Sequence, residues 1–335
     1  MTWLLTGAAG FIGTHLSRRL TEAGETCILT DNFRRGQRRP GVHFLDVRYQ
    51  SDVDAMFAEN PDIDVIAHLA GQVSLVSSIA EPRYDFETNA LGTFNVLEAA
   101  RRFTPHARLI FSSTNKVYGD LNDLTYGETA TRYTMPDYPG GLTEALRLEL
   151  HGGYSCSKGA ADQYVRDYCR VYGLKTVCLR QSSIYGGKQQ ATEDQGWVAW
   201  FVRMGVQGSA FRISGTGKQV RDLVHIDDLC DCIARVAALP ENSPVWGEAF
   251  NIGGGPGRSL SLLELFETLR RDFGLVLNYT AGPPRTGDQK VFIADSQKAR
   301  SLLGWTPGVD TSCGLSEMVA WSRTRWQVNE LAKAV

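Results

Sequence analysis

Between Thr2 and about Ser182, short apolar runs alternate with longer stretches whose apolar residues recur at helical spacing. The runs are WLLTG, TCILTD, VHFLDV, VIAHLA, RLIFSS and TVCLRQ, and their length and β-branched content predict buried strands. FIGTHLSRRLTEAG and NALGTFNVLEAARRF carry one apolar face and predict helices. Strands and helices in alternation build parallel βαβ units, so the expected class is α/β, a Rossmann-type doubly wound parallel sheet. After Tyr185 the rhythm changes, with glycine-rich and turn-rich stretches such as GGKQQATEDQGW and ISGTGKQVRD, and a further helix in LSLLELFETLRRDFG. Two parts follow: a sheet domain over 1–182, and a smaller lobe over most of 183–335 that closes on the first, with some chain returning to it.

Composition narrows the partners. Lys and Arg number 35 against 37 Asp and Glu, a net charge of -2, which provides no broad field for nucleic acid or a membrane surface. No apolar run approaches the ~18 residues of a membrane span. The chain opens on MTWLLTGAAG, directly into a strand and a glycine turn, so a cytoplasmic protein is expected. Its seven cysteines are scattered without a CxxC pair. They read as small hydrophobes, with neither disulfide nor structural metal expected.

The first chemical signal is TGAAGFIG, where Gly7, Gly10 and Gly13 follow the first strand and Phe11 and Ile12 open the first helix. Small residues there let a pyrophosphate approach the backbone at a helix N-terminus. The second strand ends at Asp31, followed by Asn32, where a carboxylate accepts hydrogen bonds from ribose hydroxyls and repels a 2′-phosphate. NAD is therefore expected over NADP, although Arg34 and Arg35 are placed where they could receive that phosphate. Asp46 and Val47 end the third strand, and Leu69, Ala70, Gly71 and Gln72 follow the fourth. With Asn89, Ser112, Tyr154 and Lys158 they make up the expected cofactor set.

The second signal is STNKVYGD, in which a core strand delivers Thr114, Asn115 and Lys116 at its carboxyl end. That end of an open parallel sheet faces the ligand crevice. Farther on, HGGYSCSKGAADQYVRDYCRVYG sets Tyr154 and Lys158 four apart, on one face of a helix. A tyrosine with an ordinary pKa near ~10 is a weak base, and an adjacent ammonium together with the positive nicotinamide is expected to bring it toward the working range. Cys156 points off that face and reads as packing. His225 and Asp227 read as a packed imidazole and a helix cap.

A glycine fingerprint, a hydroxyl residue after the fifth strand and a YxxxK pair, in that order, resemble the extended short-chain dehydrogenase/reductases that act on nucleotide sugars. The resemblance implies a catalytic set of Thr114, Tyr154 and Lys158. Sugar-nucleotide 4,6-dehydratases of that family place an Asp-Glu pair directly after the catalytic Thr, whereas this chain has Asn115 and Lys116. Dehydration thus lacks its acid and base, while reversible oxidation needs neither.

Within the family, STNKVYGD, HLAGQVS, YSCSKGAADQYV, RQSSIYGG, DQGWVAWF, GKQVRDLVH, AFNIGG and SLSLLELF are similar to stretches of the CDP-paratose 2-epimerase (CDP-tyvelose epimerase) family, over residues 1 to about 325. The likeness implies inversion at C2 of a CDP-hexose through a 2-keto sugar, with retained NAD and Tyr154 moving the hydroxyl proton. It implies a substrate site including Asn115, Lys116, Ser182, Ser183 and Trp197, with Arg221 and Arg285 on the diphosphate, and a homo-oligomer, dimer or tetramer. The chain departs from the pattern at RQSS, where the family tends to carry RHSS, at Gly153, where it tends to carry proline, and through TMPDYPGGLTEALRLELHG. A UDP-hexose 4-epimerase, another nucleotide as carrier (UDP or GDP), and a non-catalytic NAD-binding sensor or scaffold stand as the alternatives.

Overall fold

The computed structural model describes residues 1–190, 192–285 and 287–326; Ala191, Thr286 and the tail 327–335 of the expected second lobe lie outside the described residues. Seven strands form one parallel sheet: β1 (Thr2–Thr6), β2 (Thr26–Asp31), β3 (Val42–Phe44), β4 (Val65–His68), β5 (Arg108–Thr114), β6 (Lys175–Gln181) and β7 (Ala249–Ile252). Their order is β7-β6-β5-β4-β1-β2-β3. The chain reverses direction across the sheet between β1 and β4, so the carboxyl ends of these two strands flank a crevice.

The inner strands are continuous apolar runs because helices cover both faces. On one side Trp3, Leu5, Ile110 and Val177 pack with Leu16 of helix α1 (Phe11–Glu22). On the other, Leu4, Ile66 and Phe111 pack with Phe57 of α2 (Gln50–Glu59), Val96 of α3 (Gly92–Phe103) and Val165 of α4 (Gly152–Tyr172). The only histidine in these strands that is fully enclosed in the core, His68, is held by the hydroxyls of Thr6 at 2.7 Å and Thr93 at 3.0 Å.

The second lobe is built on a strand at Val220–His225 that pairs with Ser183–Tyr185, Ser259–Ser261 and Val291–Phe292. Its own core joins Val202, Leu223, Leu265 and Leu315. The chain leaves the sheet at the end of β6 and returns to it twice. Helix α5 (Ile226–Ala237) packs beside α1 through Leu229 and Ile233, and β7 then extends the sheet past β6. The seventh strand is the one sheet strand that the apolar pattern did not predict: AFNI is short and sits in the turn-rich half of the chain.

Polar groups tie these pieces together inside the core. Arg180 of β6 and Asp162 of α4 form a two-pronged buried ion pair, with Nε and a terminal nitrogen at 3.1 and 2.8 Å from the carboxylate. Ser113 of β5 donates to the same carboxylate at 2.7 Å, Arg180 donates to the Tyr118 hydroxyl at 3.1 Å, and that hydroxyl donates to Asn251 of β7 at 2.7 Å. Four sheet-domain elements are thus coupled through one arginine. All seven cysteines are free. Cys178, Cys230 and Cys232 are buried as small hydrophobes, whereas Cys156 and Cys313 are exposed, contrary to the expectation of packing. Among the described residues no helix is long and apolar enough to cross a membrane, and no cluster of side chains is arranged to hold a metal ion.

Candidate functional site

The glycine turn between β1 and α1 is shaped for a close-fitting ligand. Gly7 adopts φ of +73°, and a Cβ there would lie 2.7 Å from the Ala70 nitrogen. A Cβ on Gly13 would lie 2.4 Å from the Gly7 carbonyl oxygen. Gly10, at the head of α1, donates its N–H to the Gly7 carbonyl at 3.1 Å, and Phe11 and Ile12 turn into the helix and its core. A backbone loop stripped of side chains at the N-terminus of a long helix fits a dinucleotide pyrophosphate.

Asp31 ends β2 beside this turn. Its carboxylate accepts the N–H of Ala9 at 2.9 Å and of Phe33 at 2.7 Å, which joins the glycine loop to the loop after β2. The two arginines that follow are engaged elsewhere: Arg34 pairs with Glu81 at 2.5 Å and lies 3.8 Å over the Tyr84 ring, and Arg35 donates to Gln195 and to Ser77. Asp46 is buried, which alone would raise its pKa, but Arg48 at 3.0 and 2.8 Å and Asn32 at 3.3 Å hold it below the usual range. Val47 is buried below α3, against Gly92. Asp31→Ala should weaken NAD binding about tenfold or more, from the loss of a charged hydrogen-bond acceptor, and narrow the preference over NADP. Calorimetric titration with both dinucleotides checks this; unchanged affinities would remove the ribose role.

Leu69, Ala70, Gly71 and Gln72 run from β4 along the same crevice. Gln72 and Asn89 exchange hydrogen bonds at 2.9 Å, and Asn89 reaches Ser157 of α4 at 3.0 Å. Tyr154 and Lys158 enter from that helix, both buried. The Thr114 hydroxyl at the end of β5 is near enough to the Tyr154 phenol to lower its pKa, and it accepts the Lys116 N–H at 3.2 Å.

The chain's own groups set the pKa values of the pair chiefly through burial. Burial pushes the Tyr154 phenol up to about 12, against a smaller lowering by Thr114. The Lys158 ammonium donates to the Ser112 carbonyl at 2.5 Å and sits 4.0 Å over the Phe111 ring, and burial brings it down to about 7. Each side chain is therefore pressed toward its neutral form, because a low-dielectric site penalises both charges.

Across the crevice the lobe contributes positive charge. Arg221 and Lys116 converge on Asp288, at 2.6 and 3.6 Å, and Lys116 also donates to the Gly287 carbonyl at 3.2 Å. Arg285 stands nearby, bonded to Ser214 at 3.0 Å, and contributes with the other two to holding the half-buried Asp288 below the usual carboxylate range. Burial and the neighbouring Arg221 bring Lys116 down to about 8. Three cationic side chains around one carboxylate can receive a dianion.

Matched against known proteins, residues 3–253 fit the NAD dependent epimerase/dehydratase family. The chain belongs to that family. It is 43% identical over 96% of its length, and 99% of the relative's, to a CDP-paratose 2-epimerase of Salmonella typhi. Its fold is similar to the UDP-glucose 4-epimerase of Thermotoga maritima solved with UDP-glucose, with a TM-score of 0.83 and 30% identity over 97% of this chain and 99% of that one. A Thermus thermophilus UDP-glucose 4-epimerase in complex with NAD matches at a TM-score of 0.81 and 29% identity, covering 96% of this chain and 99% of that one.

In this epimerase/dehydratase family member several of the expected site residues have other partners. Ser182 donates its hydroxyl to Asp222, a buried carboxylate that also accepts the N–H groups of Gly255 and Ala294 at 3.1 and 3.2 Å, so Ser182 ties sheet to lobe. The Ser183 hydroxyl accepts the Trp197 indole N–H at 3.0 Å, and Trp197 packs edge-on against Phe201 of the lobe core. Asn115 accepts the Thr114 hydroxyl at 3.4 Å through its side-chain oxygen and donates its amide to Gln289 at 3.3 Å. His225 caps α5 by accepting the Asp227 N–H at 3.3 Å, as a packed imidazole does. Gln181, where the resembled family tends to carry histidine, donates at 3.0 Å to the hydroxyl of Ser112, the same residue whose carbonyl receives Lys158.

Sequence reasoning missed Asp288, Gln289 and Asp85. Asp288 follows Arg285 closely and could have been found as a carboxylate beside an expected diphosphate arginine. Gln289 reaches the crevice only by long-range folding, donating to the Gly119 carbonyl at 2.7 Å. Asp85 stands four residues before Asn89, so a helical spacing was its one signal.

Proposed function

We propose that this protein inverts C2 of a CDP-hexose, of the CDP-paratose to CDP-tyvelose type, by transient oxidation to a 2-keto sugar. The observation that carries the reading is likeness to the Salmonella CDP-paratose 2-epimerase along the whole chain, joined to a buried Thr114, Tyr154 and Lys158 followed by Asn115 and Lys116 instead of two carboxylates. The cleared glycine turn, Asp31 and the loop after β4 hold NAD, which supplies the acceptor and donor of hydride when bound. Thr114 orients the sugar hydroxyl and Tyr154 takes its proton, then returns it to the oxyanion as the new C2 centre forms. Lys158 holds the ammonium charge that lets the phenol ionise.

Inversion requires the 2-keto ring to present its other face to the same cofactor while its nucleotide stays in place. Lys116, Arg221 and Arg285 serve that need by gripping the diphosphate, with Asp288 as the anion they share in its absence. The bonds between Gly187 and His15 of α1 and between Gln195 and Arg35 support closure of the crevice by the lobe, expected over most of residues 183–335. The reading places the protein in deoxysugar biosynthesis in the cytoplasm. Exposed Tyr164, Val171 and Tyr172 on α4, with Phe94 of α3 against Tyr164, favour a homo-oligomer built on these two helices.

The kinship with UDP-glucose 4-epimerases favours a second reading with the same Thr, Tyr and Lys acting at C4. Product configuration separates the two. Without added cofactor, CDP-paratose should give its C2 epimer by NMR, and UDP-glucose should remain unchanged; conversion of UDP-glucose to its C4 epimer with CDP-paratose untouched would establish the second reading.

A further inference from the structure

Asp85 lies at the centre of a polar cluster that the proposed mechanism does not use. It is 1% exposed, on the short helix Pro82–Phe86, and one oxygen accepts the Ser157 hydroxyl at 2.6 Å. The other accepts the Gln72 amide at 2.8 Å and the Asn89 amide at 3.2 Å. These donors are all uncharged, so the carboxylate is buried with hydrogen bonds but without a contacting cation. Such a charge is costly unless it acts on something close by.

Its surroundings say what it acts on. Ser157 belongs to the turn of α4 that joins Tyr154 to Lys158, and it also donates to the Tyr154 carbonyl at 3.2 Å. Gln72 belongs to the loop after β4, which packs directly against α4, and its own side chain fixes Ser74 through bonds of 2.7 and 2.5 Å. The carboxylate therefore joins the acid–base helix to that loop within one wall of the crevice. Resting on the reading of Tyr154 and Lys158 as the acid–base pair, we propose that Asp85 is a positioning residue, which clamps their helical turn to the loop after β4 through Ser157 and Gln72 and presses its negative charge on both members of the pair.

The charge acts on the two groups in one direction. A nearby anion disfavours phenolate and favours ammonium, so it raises both pKa values. Asp85 has this effect on Tyr154 and on Lys158; burial raises its own pKa, against lowering by its Ser157 and Gln72 hydrogen bonds and by Lys158. The other titratable groups around the pair are Asp162 and Cys178, which also favour the Lys158 ammonium, and His68, which Lys158 holds neutral. Removing the Asp85 charge leaves these in place and shifts Tyr154 and Lys158 together toward acid.

The test compares wild type, Asp85→Asn and Ser157→Ala as NAD-loaded protein. Asp85→Asn should displace both limbs of the kcat pH profile downward by about one unit. The same displacement should occur in the ultraviolet difference signal of Tyr154 ionisation, isolated by subtracting Tyr154→Phe, and this readout needs no substrate. Ser157→Ala keeps the charge and releases the clamp. It should lower kcat about tenfold at unchanged KM and leave the profile where it was, with activity restored by Ser157→Thr.

Profiles and phenol titration in Asp85→Asn that coincide with wild type would overturn the proposal, as would a Ser157→Ala enzyme of normal kcat should Asp85→Asn fail to fold. A wild type inactive on CDP-hexoses would contradict the functional reading alone, because the phenol titration would still decide the role of Asp85.

Discussion

Tyr154→Phe should leave the protein folded and NAD-binding while lowering kcat on the CDP-hexose by about a hundredfold to ten-thousandfold, the usual contribution of a positioned proton-transfer group. The substitution removes one oxygen from a side chain that is buried against the crevice wall, so packing changes little. KM should change little too, because the phenol is needed at the moment of proton transfer more than in ground-state binding. The wild-type profile should rise with pH as the phenol ionises. Burial, with Asp85 adding to it and Thr114 opposing it, holds that group at about 12, so the rise is placed in the neutral range only if bound cationic charge brings it down. Kinetics at several pH values, with a thermal melt as the folding control, check this; a Phe variant within threefold of wild type would remove Tyr154 from the reaction.

The largest stability effect is expected at Asp162. Asp162→Ala leaves Arg180 charged and buried and strands the Ser113 hydroxyl, and breaking a buried pair in this way costs about 3–5 kcal/mol. Replacing both partners with apolar residues, as in Asp162→Leu with Arg180→Met, should recover much of that loss, because no uncompensated charge remains. Urea denaturation of the single and double variants measures the difference. Equal losses in the two would mean that the cluster matters through packing, and the coupling of β5, β6, β7 and α4 through Arg180 would have to be abandoned.

The site divides into what a sequence displays and what folding assembles. The glycine turn, the Tyr154 and Lys158 spacing and Thr114 at a strand end are local patterns, and the structure brings them to one crevice because β1, β4 and β5 are adjacent in the sheet. β1, β4 and β6 were legible since helices on both faces demand unbroken apolar runs. β7 was not: its four residues make no more of a pattern than a turn segment, and pairing with β6 is a tertiary fact. The burial of the pair was hidden for a related reason. Spacing showed that Lys158 lies a turn away, but it could not show that the ammonium is committed to the Ser112 carbonyl or that the phenol is buried. Asp85 sits in EPRYDFETNA among charged neighbours and reads as solvated surface. Only the fold turns it inward, to Ser157 and Gln72.

The most direct measurement is an NMR product analysis of CDP-paratose incubated with the purified protein in deuterated water, without added cofactor. The account predicts inversion at C2 with the original hydrogen retained, since hydride leaves and returns within the closed site. Inversion accompanied by deuterium at C2 would contradict it and make the reaction a deprotonation.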